Sequence, residues 1–392
     1  MQLEEFILKT HFQVPSSKTH SLERIIMKSF IAQLCTISFI FIFFFFTSIL
    51  TTTIAQTTNF KCTTPRATCE SLIDYIPINS TTFSDIKTLF GIKNLRELFG
   101  ANYLPLTTSP NGTVAPKQRI KIPFPCICNN GTGISNKRPI YTVKSGDGLD
   151  FIARSIFSNL LTYQQIATVN NIKDVNLIEV GQKLVIPLPC SCDDVDGMKV
   201  VHYGHVVASG STVELIANQY DTTEATLLKL NGLASPNDLK ADSVLDVPLK
   251  VCTSAISATS PDYPLLVPNG TYTFTANNCV QCNCDKSSNW TLQCQPSPSG
   301  VKIANWTQCP SMQCQGNPNL FIGNTSSSNC GPRCSYAGYN SQVILTTPVS
   351  STCPTTDGAR PSNGATKIGL GWLSGIWLLI SLELGLLGFG LL

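Results

Sequence analysis

The stretch Tyr141-Thr142-Val143-Lys144-Ser145-Gly146-Asp147-Gly148 opens a segment that closes at Leu184-Val185-Ile186-Pro187. Its first four residues alternate in polarity, which predicts a short strand, and the Gly-Asp pair predicts a turn that caps a helix. Two helical stretches follow, one with apolar residues at Leu149, Ile152, Ala153 and Ile156, and one running from Thr162 to Asn170-Asn171. The predicted order is therefore strand, helix, helix, strand.

This plan occurs three times along the chain. Residues 205–248 repeat it, with Gly210 in the place of Gly146. Residues 72–123 are a weaker copy, because the turn at Asn79-Ser80-Thr81 lacks the Gly-Asp signal. Ile-Pro-Phe-Pro-Cys-Ile-Cys at 122–128 and Ile-Pro-Leu-Pro-Cys-Ser-Cys at 186–192 close the first two copies, 64 residues apart. A near-fixed period is typical of small repeated domains and favours a modular protein over one large enzyme core.

The best copy resembles the LysM family. The family pattern stands at Tyr141, Val143, Gly146, Asp147, Ile152, Ala153, Val169, Asn170, Gly181, Gln182, Leu184, Ile186 and Pro187. The resemblance covers residues 62–353 and is to plant LysM domain-containing GPI-anchored proteins. It implies an α+β protein with three βααβ LysM repeats, at 62–128, 141–187 and 205–248, that are stapled by disulfides. A Cys-rich region at 252–353 would follow them. Gly148 departs from the Thr usual at this position, which puts one hydroxyl contact in doubt.

Cysteine usage indicates an oxidising compartment. Of 17 Cys, all but Cys35 lie downstream of the N-terminal apolar run, and an even number suits eight disulfides. The resemblance implies the pairs Cys62–Cys128, Cys69–Cys192 and Cys126–Cys190, which spacing alone leaves open. The dense run 279–284 would also suit zinc, but His202 and His205 are the only histidines after the predicted signal peptide, and neither adjoins the run. We therefore expect disulfides there, no metal and no cofactor.

Both termini have the composition of processing signals. The apolar run from Ile31 to Leu50, followed by Thr53-Ile54-Ala55, predicts a signal peptide over 1–55. Met27 would give a more ordinary start, and a retained signal anchor is the alternative. Residues 368–392 are apolar and no Lys or Arg follows them, which predicts a removed GPI signal behind a stalk and attachment region at 354–367.

Asn363 is the preferred attachment residue, with Ser362 and Asp357 as alternatives and a single-pass helix as the competing interpretation. We therefore expect a GPI-anchored protein on the outer leaflet of the cell membrane. Seven N-glycosylation sequons agree with secretion and stand at Asn79, Asn111, Asn130, Asn269, Asn289, Asn305 and Asn324. A net charge of only +3 predicts no nucleic-acid partner.

The resemblance places a glycan groove between the loop after the first strand and the loop before the second. In the best repeat these loops comprise Ser145, Gly146, Asp147, Gly148, Leu149, Asp150, Phe151, Ile172, Lys173, Asp174, Val175, Asn176, Leu177 and Ile178. Gly146 and Gly148 would permit close backbone approach, and Asp147 would accept a hydrogen bond.

Leu149, Val175, Leu177 and Ile178 would line a pocket for an acetyl methyl group. The alternative is that Gly146 and Asp147 only form the turn, and that Leu149 and Leu177 belong to the core. The third repeat, with 210–215 and 233–239, ranks second. The first ranks last because Asn79 predicts a glycan in its loop.

The resemblance implies a cell-surface binding protein for N-acetylglucosamine glycans in plant innate immunity, chiefly bacterial peptidoglycan and secondly chitin. A lipid anchor carries no cytoplasmic segment, so a transmembrane LysM receptor kinase is the expected signalling partner. One alternative is a wall adhesion or structural protein. The other is a glycan hydrolase, which needs two carboxylates in a cleft. The only dense acidic group, Asp193-Asp194-Val195-Asp196, lies in an inter-repeat loop, so we expect no enzyme.

Overall fold

The computed structural model describes residues 60–323 and 332–350. Within them three successive units have the order strand, helix, helix, strand, followed by a β-rich C-terminal region, and the predicted α+β class is confirmed. The predicted signal peptide, the sequon at Asn324, Cys330, Cys353 and the predicted GPI region all lie outside the described residues.

The elements of the three repeats are short. In the first repeat they are β1 (Thr68–Tyr75), β2 (Thr81–Thr82), α1 (Phe83–Phe90), α2 (Leu95–Ala101), β3 (Thr113–Val114) and β4 (Ile120–Asn129), followed by the connecting strand β5 (Thr132–Ser135). In the second they are β6 (Ile140–Thr142), α3 (Leu149–Phe151, continued by a π-helical turn over Ile152–Ile156), α4 (Tyr163–Val169), β7 (Lys183–Val185) and the connecting β8 (Pro189–Cys190). In the third they are β9 (Val200–Val206), α5 (Val213–Gln219), α6 (Glu224–Asn231), a 3-10 turn (Pro236–Asp238) and β10 (Val244–Cys252).

The C-terminal region is built from β-hairpins. Its elements are β11 (Val267–Pro268), β12 (Thr271–Thr275), β13 (Val280–Cys284), a 3-10 turn (Lys286–Ser288), β14 (Gln293–Pro296), β15 (Gln313–Cys314), β16 (Asn317–Phe321), β17 (Pro332–Tyr339) and β18 (Ile344–Ser350). Residue Gly100 of α2 packs so closely on β12 that an added Cβ would lie 2.2 Å from the Tyr272 carbonyl oxygen. The Tyr272 hydroxyl also donates to the Leu104 carbonyl at 2.6 Å, so this region is docked on the first repeat.

One asparagine in each repeat fastens the second helix to the returning strand. The Asn170 side-chain amide donates to the carbonyls of Ile166 and Val185, both at 2.8 Å, and its oxygen accepts from the Val185 amide at 2.8 Å. Asn102 and Asn231 make the same three hydrogen bonds. We call this arrangement the asparagine latch. Its presence in the divergent first repeat shows that all three units share one architecture.

A seven-stranded sheet joins the first and third repeats. Its order is β11-β10-β9-β1-β4-β5-β8, and β1 and β9 run parallel in it. The carboxylate of Asp74 is fully buried at this junction. It pairs with Arg119 and accepts hydrogen bonds from the Tyr203 hydroxyl and the Val206 amide. A buried carboxylate requires such compensation, and the partners here come from both repeats.

Disulfides staple the repeats as the resemblance implies. The structure pairs Cys62 with Cys128, Cys69 with Cys192 and Cys126 with Cys190, closing separations of 66, 123 and 64 residues. In the C-terminal region the pairs are Cys252–Cys284, Cys279–Cys309, Cys282–Cys294 and Cys314–Cys334. Each cysteine of the dense run 279–284 therefore belongs to a different disulfide and offers no thiolate to zinc.

The first and second repeats share one hydrophobic core, which also includes Val206 and Val244 of the third repeat. The rest of the third repeat packs in a second core together with Leu72 and Ala101 of the first. A row of edge-to-face aromatic contacts crosses the shared core, with ring centroids 5.0 Å apart for Tyr75 and Phe90, 5.7 Å for Phe90 and Phe157, and 6.0 Å for Phe157 and Tyr141. The three repeats therefore form one packed unit and are not beads on a flexible string.

Candidate functional site

The first wall of the predicted groove is a turn held by Asp147. Its Oδ2 atom accepts hydrogen bonds from the Lys144 amide at 2.7 Å and from the Tyr141 hydroxyl at 2.8 Å. Burial and this carboxylate raise the pKa of Tyr141 well above its usual value. Gly146 adopts a φ of +88°, which favours glycine. Asp147 therefore folds the loop.

The second wall is the loop between α4 and β7, and it is fastened to the first. The Gly181 amide donates to the Val143 carbonyl at 2.8 Å, and the Val143 amide donates to the Gln182 carbonyl at 2.9 Å. Within the loop, Asp174 Oδ1 accepts from the backbone and side-chain amides of Asn176. These hydrogen bonds join the end of β6 to the turn before β7, and others fold each loop on itself. We call the space between loops 145–151 and 172–178 the repeat 2 trough.

Glycines leave the backbone of the trough open. A Cβ added at Gly146, Gly148 or Gly181 would meet no atom within 4 Å. Gly148 is the N-cap of α3 and makes no side-chain cap, whereas Thr82 and Thr212 at the matching positions do. The hydroxyl that Gly148 lacks is therefore the one that caps the helix in the other two repeats.

The apolar residues of the trough divide between core and surface. Leu149 is only 2% exposed and lies in the core, so the expectation that it lines a surface pocket is wrong. Its position at the start of α3 turns it inward. Leu177 is 73% exposed and Phe151 48%, so neither is a core residue. Ile172, Val175 and Ile178 are half-buried and pack on the core from the trough side.

Val180 is an exposed apolar residue of the second repeat that the sequence analysis did not single out. It is 70% exposed and stands between Glu179 and Gly181 in a polar turn. In the sequence, an apolar residue inside a short polar turn is a signal that could have identified Val180. With Phe151 and Leu177 it gives the second repeat an exposed apolar set. At the position of Phe151 the third repeat has Leu215, 59% exposed, and the first has Asp85.

The trough offers no surplus positive charge. The predicted segments contain Asp147, Asp150, Asp174 and one cation, Lys173, all but Asp147 exposed. The Arg154 guanidinium lies 2.8 Å from the Asp150 carboxylate. Such an exposed pair contributes little to stability, but it neutralises the one acidic side chain that flanks Phe151.

The acidic group that would serve a hydrolase is already engaged in structural contacts. Asp193 accepts from the Thr63 amide at 2.8 and 2.9 Å, Asp194 pairs with Lys199 at 2.9 Å, and Asp196 accepts from the Thr226 hydroxyl at 2.8 Å. These carboxylates tie the inter-repeat linker to three different partners. Each of these carboxylates is therefore held by a neighbouring group, whereas acid–base hydrolysis of a glycoside requires a pair that faces the substrate.

The sequons that the structure describes lie at the surface. Asn79, Asn111, Asn130, Asn289 and Asn305 are exposed, and Asn269 is half-buried. Over the described residues, no helix has the length and apolar character needed to cross a bilayer.

The folds and paired loops of the repeats are those of LysM domains. The LysM domain family model matches residues 141–187 and 205–248, which are the second and third repeats.

Relatives of known name extend the match to most of the chain. LysM domain-containing GPI-anchored protein 2 of Arabidopsis thaliana is 49% identical and covers 81% of this chain and 89% of its own. The chitin elicitor-binding protein of Oryza sativa subsp. japonica is 42% identical and covers 80% and 86%. Chitin elicitor receptor kinase 1 of Physcomitrium patens is 26% identical over 35% of this chain and 21% of its own. The chain belongs to the family of LysM domain-containing GPI-anchored proteins.

Proposed function

We propose that this protein binds N-acetylglucosamine oligomers in the repeat 2 trough, at the plant cell surface, as a recognition step in innate immunity. The observation that carries the proposal is the exposure of one apolar side chain on each predicted loop, Phe151 and Leu177, together with glycines at which an added Cβ would meet no atom. Apolar side chains can cover the acetyl methyl and the C–H face of a sugar, while backbone groups bind its amide.

Chitin oligomers stand first in this proposal and peptidoglycan second, the reverse of the order expected from sequence. Muropeptides carry carboxylates, and the trough segments contain three Asp against one Lys. An anionic ligand would gain no electrostatic attraction there, whereas uncharged chitin loses nothing. The name of the rice relative, a chitin elicitor-binding protein, agrees with this order.

Signal transmission requires a second protein in this proposal. A GPI lipid reaches only the outer leaflet, so the bound state must be communicated to a transmembrane partner, for which a LysM receptor kinase is the proposed class. The moss kinase shares a segment related to this chain. Release of the protein from plant cells by a phosphatidylinositol-specific phospholipase, and its co-precipitation with a LysM kinase only after chitin treatment, are the expected results.

Retention on insoluble polymers tests the ligand class. The purified ectodomain should be retained on chitin beads, and soluble chitin hexamer should release it at a lower concentration than a muropeptide fragment of similar length. Equal retention on cellulose would favour the adhesion alternative. No retention on either chitin or peptidoglycan would refute the proposal. Soluble sugar released by the pure protein would favour the hydrolase alternative.

A further inference from the structure

The first two repeats enclose a second cleft that the proposed function does not use. It has a volume of about 580 Å³, within the usual range for a small-ligand site. Residues 77–81 and α1 form one side, and β6 with the π-helical turn forms the other. Tyr75 and Tyr141, the ends of the aromatic row through the shared core, both contribute to the lining. We call it the inter-repeat cleft.

The lining of this cleft is amphipathic. Ile78 and Ile140 are 55% and 51% exposed, one from each repeat. Thr88, Thr142 and Lys144 add hydroxyl and ammonium groups. Exposed isoleucines beside hydrogen-bonding groups suit a ligand with one apolar face and many hydroxyls, which is the character of a pyranose ring.

A glycosylation sequon is itself part of the lining. Asn79, Ser80 and Thr81 all border the cleft, and the Asn79 side chain is exposed. A glycan on Asn79 would begin with two N-acetylglucosamine residues held at the mouth of the cleft by a covalent bond. Tethering raises the local concentration of a ligand to levels that weak contacts can saturate.

We propose that the core N-acetylglucosamine residues of an Asn79 glycan occupy the inter-repeat cleft. The glycan then covers Ile78 and Ile140 and adds a link between the first two repeats. These repeats are already joined by a hydrogen bond of 2.8 Å from the Ser158 hydroxyl to the Ile76 carbonyl. It also closes this cleft to free oligosaccharides and leaves the repeat 2 trough open.

Site-resolved deglycosylation tests the proposal. The ectodomain is secreted from cells that retain high-mannose glycans and treated, without denaturation, with an endoglycosidase that cuts between the two core sugars. Glycopeptide mass spectrometry then follows Asn79 and its matched control Asn111, an exposed sequon of the same repeat outside the cleft. Asn79 should be cleaved at least tenfold more slowly in the native protein and at the same rate after denaturation.

Two variants separate shielding by the cleft from other causes. Ile140→Ser changes an exposed side chain and should bring native cleavage at Asn79 close to the Asn111 rate. Asn79→Gln should increase hydrogen exchange of residues 140–144 several-fold, whereas Asn111→Gln should leave it unchanged. An unoccupied Asn79, or native cleavage as fast as at Asn111, would overturn the proposal. Neither readout uses chitin, so such a failure would leave the proposed function untouched.

Discussion

Replacing Asn170 by alanine should destabilise the second repeat by about 2–3 kcal/mol. The substitution removes three hydrogen bonds and leaves both the amide and the carbonyl of Val185 without their partner. An unsatisfied backbone group costs about 1–3 kcal/mol when buried, and partial access of water to these half-buried residues favours the lower part of that range for each group. Because β6 and β7 form only a two-stranded sheet, few other backbone hydrogen bonds compensate for this loss.

Hydrogen exchange measures this loss locally. The amides of Val143 and Ile186 bridge the two strands by donating to the Gln182 and Pro139 carbonyls. A loss of 2–3 kcal/mol should accelerate their exchange about 30- to 150-fold. Asn176→Ala is the matched control, because that exposed asparagine bonds only to Asp174 among the described residues, and it should change stability by under about 0.5 kcal/mol.

The same substitution in the first repeat extends the argument. Asn102 makes the equivalent bonds to Leu98 and Lys121, so Asn102→Ala should cost a similar amount. If Asn170→Ala were as mild as Asn176→Ala, the asparagine latch would not be a stabilising feature of these repeats. If only Asn102→Ala were mild, the first repeat would depend on other contacts.

Three further outcomes follow from single contacts. Gly148→Thr should raise the free energy of unfolding by about 1 kcal/mol in thermal denaturation. The φ of −120° at this position suits a threonine cap, and threonine also restricts the unfolded chain more than glycine does. An unchanged or lower free energy would refute this. Burial alone would lower the pKa of His202, but the Asp246 carboxylate at 2.9 Å and the Asp193 carbonyl at 2.8 Å together outweigh it and raise that pKa. The stabilisation from these contacts of His202 is therefore complete below about pH 6.5. It is lost as pH rises through the folded-state pKa of His202, by up to about 1.4 kcal/mol per pH unit. His202→Gln should remove this dependence of the free energy of unfolding on pH, and an identical dependence in both proteins would contradict the assignment. Gly100→Ala should undock the C-terminal region, since its Cβ would lie 2.2 Å from the Tyr272 carbonyl oxygen, and proteolysis between the third repeat and β12 should accelerate; unchanged cleavage would mean that the backbone adjusts.

Local patterns predicted the elements of the fold well. Helix starts at Thr82, Thr162 and Thr212 follow from capping chemistry, and the repeated asparagine marks the end of the second helix in each unit. The parallel pairing of β1 with β9 could not be predicted, because it joins residues 131 positions apart, such as Leu72 and Tyr203. Gly204 is the one local trace of it, since a side chain there would collide with Ile73.

The site was predictable in outline only. The loops follow from the Gly-Asp turn and the Gly-Gln turn, but the direction of each side chain depends on packing. Leu149 and Leu177 are both leucines of the predicted groove, yet the side chain of Leu149 is 2% exposed and that of Leu177 is 73% exposed. The core of the first two repeats encloses Leu149, whereas a loop closed by its own hydrogen bonds turns Leu177 outward. Periodicity in sequence cannot separate these cases over so few residues.

Titration calorimetry of the ectodomain with chitin hexamer tests the central claim most directly. We predict that the hexamer binds and that the double substitution Phe151→Ser and Leu177→Ser weakens its affinity about 30-fold. This loss corresponds to about 1 kcal/mol for each exposed apolar contact. Leu215→Ser, the equivalent exposed position of the third repeat, should stay within about twofold of the unsubstituted protein. Full affinity in the double variant, or a larger loss from Leu215→Ser, would place the ligand outside the repeat 2 trough.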